Sequence, residues 1–215
     1  MRAARVWHAV TFVVAAAALV LQTVLVITGS AVLDETAVPP LGTRLLRLVG
    51  YFTIQSNVLV AVVSWLLLRD PGRDGRGFRV LRLDAVAAIT VTGLVHLVLL
   101  RPLLDLEGAD AVADALLHVV VPLLAVVTFL VHGPRPRVDL RTAALALVWP
   151  LLWLAYTLAM GAATGFYPYP FVDAAALGYP QVLLNGLGVA VLLVTLFALA
   201  GLVDRRLAPR PAESG

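Results

Sequence analysis

Leu45-Leu-Arg-Leu-Val-Gly-Tyr51-Phe52-Thr53-Ile54-Gln55-Ser56-Asn57-Val-Leu-Val-Ala-Val-Val-Ser-Trp-Leu-Leu-Leu68 is an apolar run long enough to cross a bilayer as one helix. Inside it, Thr53, Gln55, Ser56 and Asn57 can all hydrogen-bond, where hydrocarbon offers them no partner. Polar groups at such depth face a bundle interior, and ionisable ones mark function by default. Thr53 and Asn57 are four residues apart, so they share one helix face. That face needs a counterpart on another segment, and His118 is the best one.

The rest of the chain supports a membrane setting. Of 215 residues, 61% are hydrophobic and 13% charged, with a mean hydropathy of +0.95. No soluble domain of this size needs so much apolar surface, and the chain is too short to add a soluble domain to a membrane one. The expected fold is therefore all-α, a single six-transmembrane-helix bundle over residues 1–206. Its spans run approximately Val6–Thr28, Leu45–Leu68, Leu83–Leu103, Ala113–Val131, Thr142–Ala163 and Tyr179–Val203. The proline-rich end, 207–215, reads as a disordered tail.

The first run has two readings. Arg2 and Arg5 before it and Gly29-Ser30-Ala31 after it suit a signal peptide, but its apolar stretch exceeds the roughly 7–15 residues of such a core. A retained helix is the reading adopted.

Charge orients the bundle. There is no lysine, and thirteen arginines fall on one side of the six spans. Only Arg44, Arg47 and Arg101 fall on the other, together with Asp34, Glu35, Asp105, Glu107, Asp110 and Asp173. By the positive-inside rule the protein sits in the plasma membrane with both termini cytoplasmic. The arginines mark segment ends and imply no nucleic-acid partner. The absence of cysteine removes disulfides, thiolate catalysis and Cys-ligated metals.

Topology then gives depth. Thr53 is expected about 12 Å below the outer surface, Asn57 one turn deeper, His118 about 8 Å and His96 about 10 Å in. Gln22, Tyr156, Gln181 and Asn185 also fall in the outer half, whereas the inner half has little beyond Ser64 and the helix-end residues His8 and His132. His8 and His132 read as interfacial. The pattern predicts a cavity open to the extracytoplasmic side. Phe166-Tyr-Pro-Tyr169-Pro-Phe171 reads as an interfacial aromatic belt, or as a lid over that cavity.

His118 has two informative neighbours. Asp114 at i−4 could accept from one imidazole nitrogen and leave the other as a base. Pro122 at i+4 cannot bond the carbonyl of residue 118, so the helix should kink or hydrate there. A threonine hydroxyl beside such an imidazole permits nucleophilic acyl transfer, and Asn57 or Asn185 could stabilise the oxyanion. Gln55 and Tyr156 complete the expected pocket.

Phe52-Thr53-Ile54, His118-Val-Val-Val-Pro122 and Gly165-Phe-Tyr-Pro-Tyr-Pro-Phe171, in this order and spacing, resemble the androgen-induced and androgen-dependent TFPI-regulating proteins. These are multi-pass intramembrane threonine hydrolases, and the family has bacterial relatives. The resemblance implies Thr53 as nucleophile, His118 as base and an ester of a fatty acid with a hydroxy fatty acid as substrate class. The chain departs from the family at Val119 and Val120, commonly threonines there, and at Asp114, where an Asn is expected. On this reading the partners are a lipid or fatty-acid ester and the membrane lipids, and no cofactor is needed. Two alternatives stand beside it. The same cavity could serve a non-catalytic binder or transporter of small lipophilic molecules. His96 and His118 could instead ligate a haem, or with Asp114 a metal ion.

Overall fold

The computed structural model describes residues 2–29 and 38–208, and all regular secondary structure among them is helical. Six helices are long and apolar enough to cross a membrane: α1 (Arg2–Thr28), α3 (Phe52–Arg69), α4 (Arg76–Leu103), α5 (Gly108–His132), α6 (Leu140–Thr164) and α7 (Tyr179–Arg206). A shorter helix, α2 (Leu41–Gly50), precedes α3. Ser30, Ala31, Asp34 and Glu35 lie outside the described residues, as does the expected tail beyond Leu207 and Ala208.

The expected span Leu45–Leu68 is in fact two helices. α2 turns Leu48, with the half-buried Arg44 one turn before it on the same face, toward the bundle and leaves Leu41, Leu46 and Val49 exposed. It ends at Gly50, a poor helix former, and Tyr51 is extended at φ −68° and ψ 130° before α3 starts at Phe52. The carbonyls freed by this break find partners elsewhere. Trp153 Nε1 donates to Gly50 O at 2.9 Å, and Gln55 Nε2 donates to Val49 O at 2.9 Å. α2 also serves α1, because Arg44 donates to the Val26 carbonyl at the C-terminal end of that helix.

α4 is the hub, packing against α3, α5, α6 and α7. Small residues allow this: Ala85, Ala87 and Ala88 are buried, and a Cβ on Gly93 would lie 3.0 Å from His118 O and 3.3 Å from Pro122 Cβ. α7 instead exposes Leu183, Leu187, Val191 and Val194, the surface a helix presents to lipid.

Two further expectations are corrected. α4 starts at Arg76 rather than near Leu83, so Arg82 is a buried helix residue and not part of a loop. The half of the bundle away from Thr53 is also more polar than expected, with His8, Thr11, Asp84, Thr128 and Asp204 all buried. His8 is thus buried within the bundle, 4% exposed, near the start of α1. Its i±4 and i±7 neighbours are apolar, and α1 turns that face onto α3.

Candidate active site

The break at Tyr51 puts Thr53 in the first turn of α3, not about 12 Å down a helix begun at Leu45. First-turn amides lack an intrahelical acceptor. The Thr53 N–H donates to the Tyr169 hydroxyl at 3.1 Å, and the same hydroxyl lies 3.1 Å from Thr53 Oγ1. Tyr169 comes from the loop between α6 and α7, and burial pushes its phenol up to about 12.

His118 Nε2 lies 3.3 Å from Thr53 Oγ1, at the long end of hydrogen-bond reach. The other imidazole nitrogen, Nδ1, is 3.0 Å from Asp114 Oδ1 and 3.1 Å from the Asp114 carbonyl. Both neighbours accept, so the proton belongs on Nδ1 and the Nε2 lone pair faces the threonine. Thr53, His118 and Asp114 thus stand in the order alcohol, imidazole, carboxylate.

A π turn precedes Pro122. Residues Leu116–Val120 are π-helical, and the Val121 N–H reaches back to Leu116 O. The wider turn absorbs the donor that Pro122 lacks. α4 does the same before Pro102: His96–Leu100 is π-helical, with the Arg101 N–H on His96 O. Each π turn carries one of the two histidines, and their rings stack at 3.8 Å between centroids and 11° between planes. His96 is 3% exposed, and its Nε2 lies 3.2 Å from Asp114 Oδ2 without hydrogen-bond alignment.

Asn57 is fully buried. Its amide donates to Thr53 O at 2.8 Å and to Leu117 O at 3.3 Å, which ties the helix of the threonine to the helix of the histidine. Asn57 is therefore a brace rather than an oxyanion donor. Asn185 is another: its Nδ2 donates to Phe171 O at 2.8 Å, and its Oδ1 accepts from Gln181 at 2.9 Å. Gln55 is occupied at the α2–α3 break, where its Oε1 accepts from Trp149 at 3.2 Å. Tyr156 faces a separate cavity with Arg47 and Thr157. Of the expected pocket, Thr53, His118, Asp114, His96 and Gln22 share one cavity, of about 70 Å³. A second cavity of about 80 Å³, walled by apolar residues such as Val91, Leu154 and Leu193, meets the first at Thr53 and Tyr169.

The 165–171 loop packs onto the bundle through two of its tyrosines. Tyr169 is inside, 7% exposed, and Tyr167 lies on Gly161, where a Cβ would be 2.0 Å from its ring. Tyr169 is the residue the sequence did not single out. Its signal was a tyrosine between two prolines, a spacing shared by ordinary interfacial aromatics.

His96, Asp114 and His118 each offer one ligand atom within 4.8 Å of the others. The ring geometry does not fit a metal or haem. An imidazole nitrogen binds a metal in the plane of its own ring, and two parallel planes 3.8 Å apart share no such point. Nor does a porphyrin fit between rings already in contact. Asp114 instead holds the His118 ring through Oδ1 at 3.0 Å and sets Oδ2 3.2 Å from His96 Nε2.

Comparison with protein families, curated proteins and solved structures returns no match.

Proposed function

We propose that this protein is an intramembrane hydrolase of lipid esters, with Thr53 as nucleophile, His118 as general base and Asp114 orienting the base. The observation that carries the reading is the continuous chain Thr53 Oγ1–His118 Nε2, 3.3 Å, and His118 Nδ1–Asp114 Oδ1, 3.0 Å. The earlier resemblance to the intramembrane threonine hydrolases points to the same pair.

In the first half-reaction Thr53 Oγ1 attacks the ester carbonyl carbon while its proton passes to His118 Nε2. The imidazolium that forms is stabilised by Asp114. The tetrahedral oxyanion is met by the Tyr169 O–H and by the positive end of α3. Collapse breaks the bond to the alkoxy oxygen, which takes the proton from His118 and leaves as the alcohol. Water then attacks the threonyl ester, again giving its proton to His118. That proton returns to Thr53 as the acid is released. Two cavities meeting at Thr53 suit an ester with an apolar chain on each side of the scissile bond, such as a fatty acid esterified to a hydroxy fatty acid.

The bundle is oriented with both termini cytoplasmic, on the argument of thirteen arginines against three. The site then opens toward the extracytoplasmic half of the plasma membrane.

The test is a fluorophosphonate probe on the purified protein. Labelling is expected on Thr53, lost in both Thr53→Ala and His118→Ala. Labelling of both variants at the wild-type level would exclude the mechanism and leave a lipid binder.

A further inference from the structure

A small void lies at the opposite end of the bundle from Thr53. Its wall is mostly apolar, with Val60, Leu67 and Phe129 among it, and His8, Ser64 and Arg82 bring polar groups to it; it holds about 30 Å³. Ser64 is eleven residues beyond Thr53 on α3, about 16 Å along the helix.

The void meets two buried side chains, each with a nitrogen that has no partner among the described residues. Arg82 is 5% exposed and His8 4%. The guanidinium is held firmly: Nη1 donates to Pro134 O at 2.8 Å, and the plane lies 4.6 Å over the Phe129 ring. Nη2 has no partner among the described residues, and neither has His8 Nε2. Gly133 makes the room, since a Cβ there would lie 1.9 Å from Nη2. A buried guanidinium nitrogen without an acceptor is costly. The fold nevertheless reserves space for it.

The surrounding charges do not supply the acceptor. The carboxylate that faces Arg82 is Asp204, which is fully buried but forms no ion pair with it within 4 Å. Its Oδ2 accepts from the Arg137 and Val138 amides, the latter at 2.9 Å. Arg135 and Arg137 add positive charge on the same side. The Thr11 hydroxyl donates to Trp7 O at 2.9 Å, so Thr128 donates to Thr11 across their 3.1 Å contact, and this pair adds no donor. The groups left for a ligand are Arg82 Nη2, the Ser64 hydroxyl and His8 Nε2, which donates in the Nε2–H tautomer.

We infer that this void is an oxyanion site that receives phosphate oxygens, with Arg82 Nη2 as the principal donor and His8 and Ser64 beside it. Guanidinium groups favour phosphate by charge and geometry. About 30 Å³ admits terminal oxygens but no larger group, since one water needs some 10–15 Å³ by the same kind of measure. The phosphate is carried by an anionic lipid or is free in solution, and the experiment separates the two.

The full chain is purified in dodecyl maltoside, which has no phosphate, and its apparent Tm is followed with added phosphatidylglycerol or with inorganic phosphate. Sodium chloride at equal ionic strength is the control. An upward shift of about 2–4 °C is expected near saturation. A shift with phosphatidylglycerol alone assigns the site to a lipid headgroup, and a shift with both assigns it to free phosphate. The shift should be abolished in Arg82→Met and at least halved in His8→Ala, and unchanged in Thr53→Ala. Should Arg82→Met fail to fold, His8→Ala decides, because it leaves the Arg82–Pro134 bond in place. No shift with either phosphate compound, or a full shift in His8→Ala, overturns the inference.

Discussion

The imidazoles of His96 and His118 lie face to face, 3.8 Å apart, with the Asp114 carboxylate reaching both: Oδ1 to His118 at 3.0 Å and Oδ2 toward His96 at 3.2 Å. Only His118 also touches Thr53. The pair is therefore unequal, with one ring aimed at the alcohol and the other backing it. Asp114→Asn should lower kcat/KM by roughly tenfold or less, because the residue 114 carbonyl, 3.1 Å from Nδ1, still accepts the Nδ1–H and only the charge that stabilises the imidazolium is lost. In the proposed mechanism His96 is a positioning residue. His96→Phe, which keeps a flat ring against His118, should hold activity within about tenfold, while His96→Ala should lose more. Equal losses in the Phe and Ala variants would show that the stack is not what matters.

Tyr169 should contribute to the chemical step through its hydroxyl. Tyr169→Phe keeps the packing against Tyr51, Trp153 and Phe171 and removes only the oxygen near Thr53. The expected result is a fall in kcat of roughly 10²–10³ with KM little changed. Steady-state kinetics on a lipid ester would read this directly, and an unchanged kcat would reduce the hydroxyl to a structural contact.

The same phenol makes a prediction in pH. Burial raises its pKa from 10.0 to about 12, so the folded state holds that proton over a range where the unfolded chain has lost it. Its contribution to stability is complete below pH 10 and is lost as pH rises toward 12. Thermal melts across this window should fall more steeply for the wild type than for Tyr169→Phe. Parallel curves would argue against the buried position of the ring.

Gly161 should be intolerant of any side chain. A Cβ would meet Tyr167 at 2.0 Å, and an aromatic ring gives way only by moving the 165–171 loop. Gly161→Ala is expected to cost about 1–3 kcal/mol and to lower the activity by displacing Tyr169. A melt and a turnover assay on one preparation suffice, and a variant with wild-type values for both would show the loop to be loose.

Asn57 joins the helices that carry Thr53 and His118, so on the proposed mechanism its removal should affect both stability and rate. Asn57→Leu leaves Thr53 O and Leu117 O without this donor, at a cost of about 1–3 kcal/mol. A loss of roughly 10–100-fold in kcat is also expected, since misplacement of reacting groups by about 1 Å has effects of this size. Loss of stability with unchanged kcat would confine Asn57 to packing.

Much of the fold was legible because lipid imposes one rule on every span: the backbone must satisfy itself, and the side chains facing hydrocarbon must be apolar. All six spans could be read from this rule. The boundary at Tyr51 could not, because apolar residues continue through Gly50 and Tyr51 and hydropathy does not register a turn. The two π turns left a fainter trace. Both are followed by a proline, Pro102 and Pro122, and a proline announces a missing donor without saying whether a kink or a wider turn replaces it.

The order of residues alone determined that this chain forms six apolar helices, and that an alcohol at Thr53 and an imidazole at His118 lie toward the same end of helices running in one direction. It determined this because length, hydropathy and alternation of direction are local or additive properties. The tertiary structure alone decided which polar groups meet. It turned Asn57, Gln55 and Asn185 into braces, drew Tyr169 from the loop onto Thr53, and paired His96 with His118 across two helices. Those outcomes depend on helix rotation and on the path of the 165–171 loop, set by the packing of small residues such as Gly93 and Gly161 against whatever lies opposite.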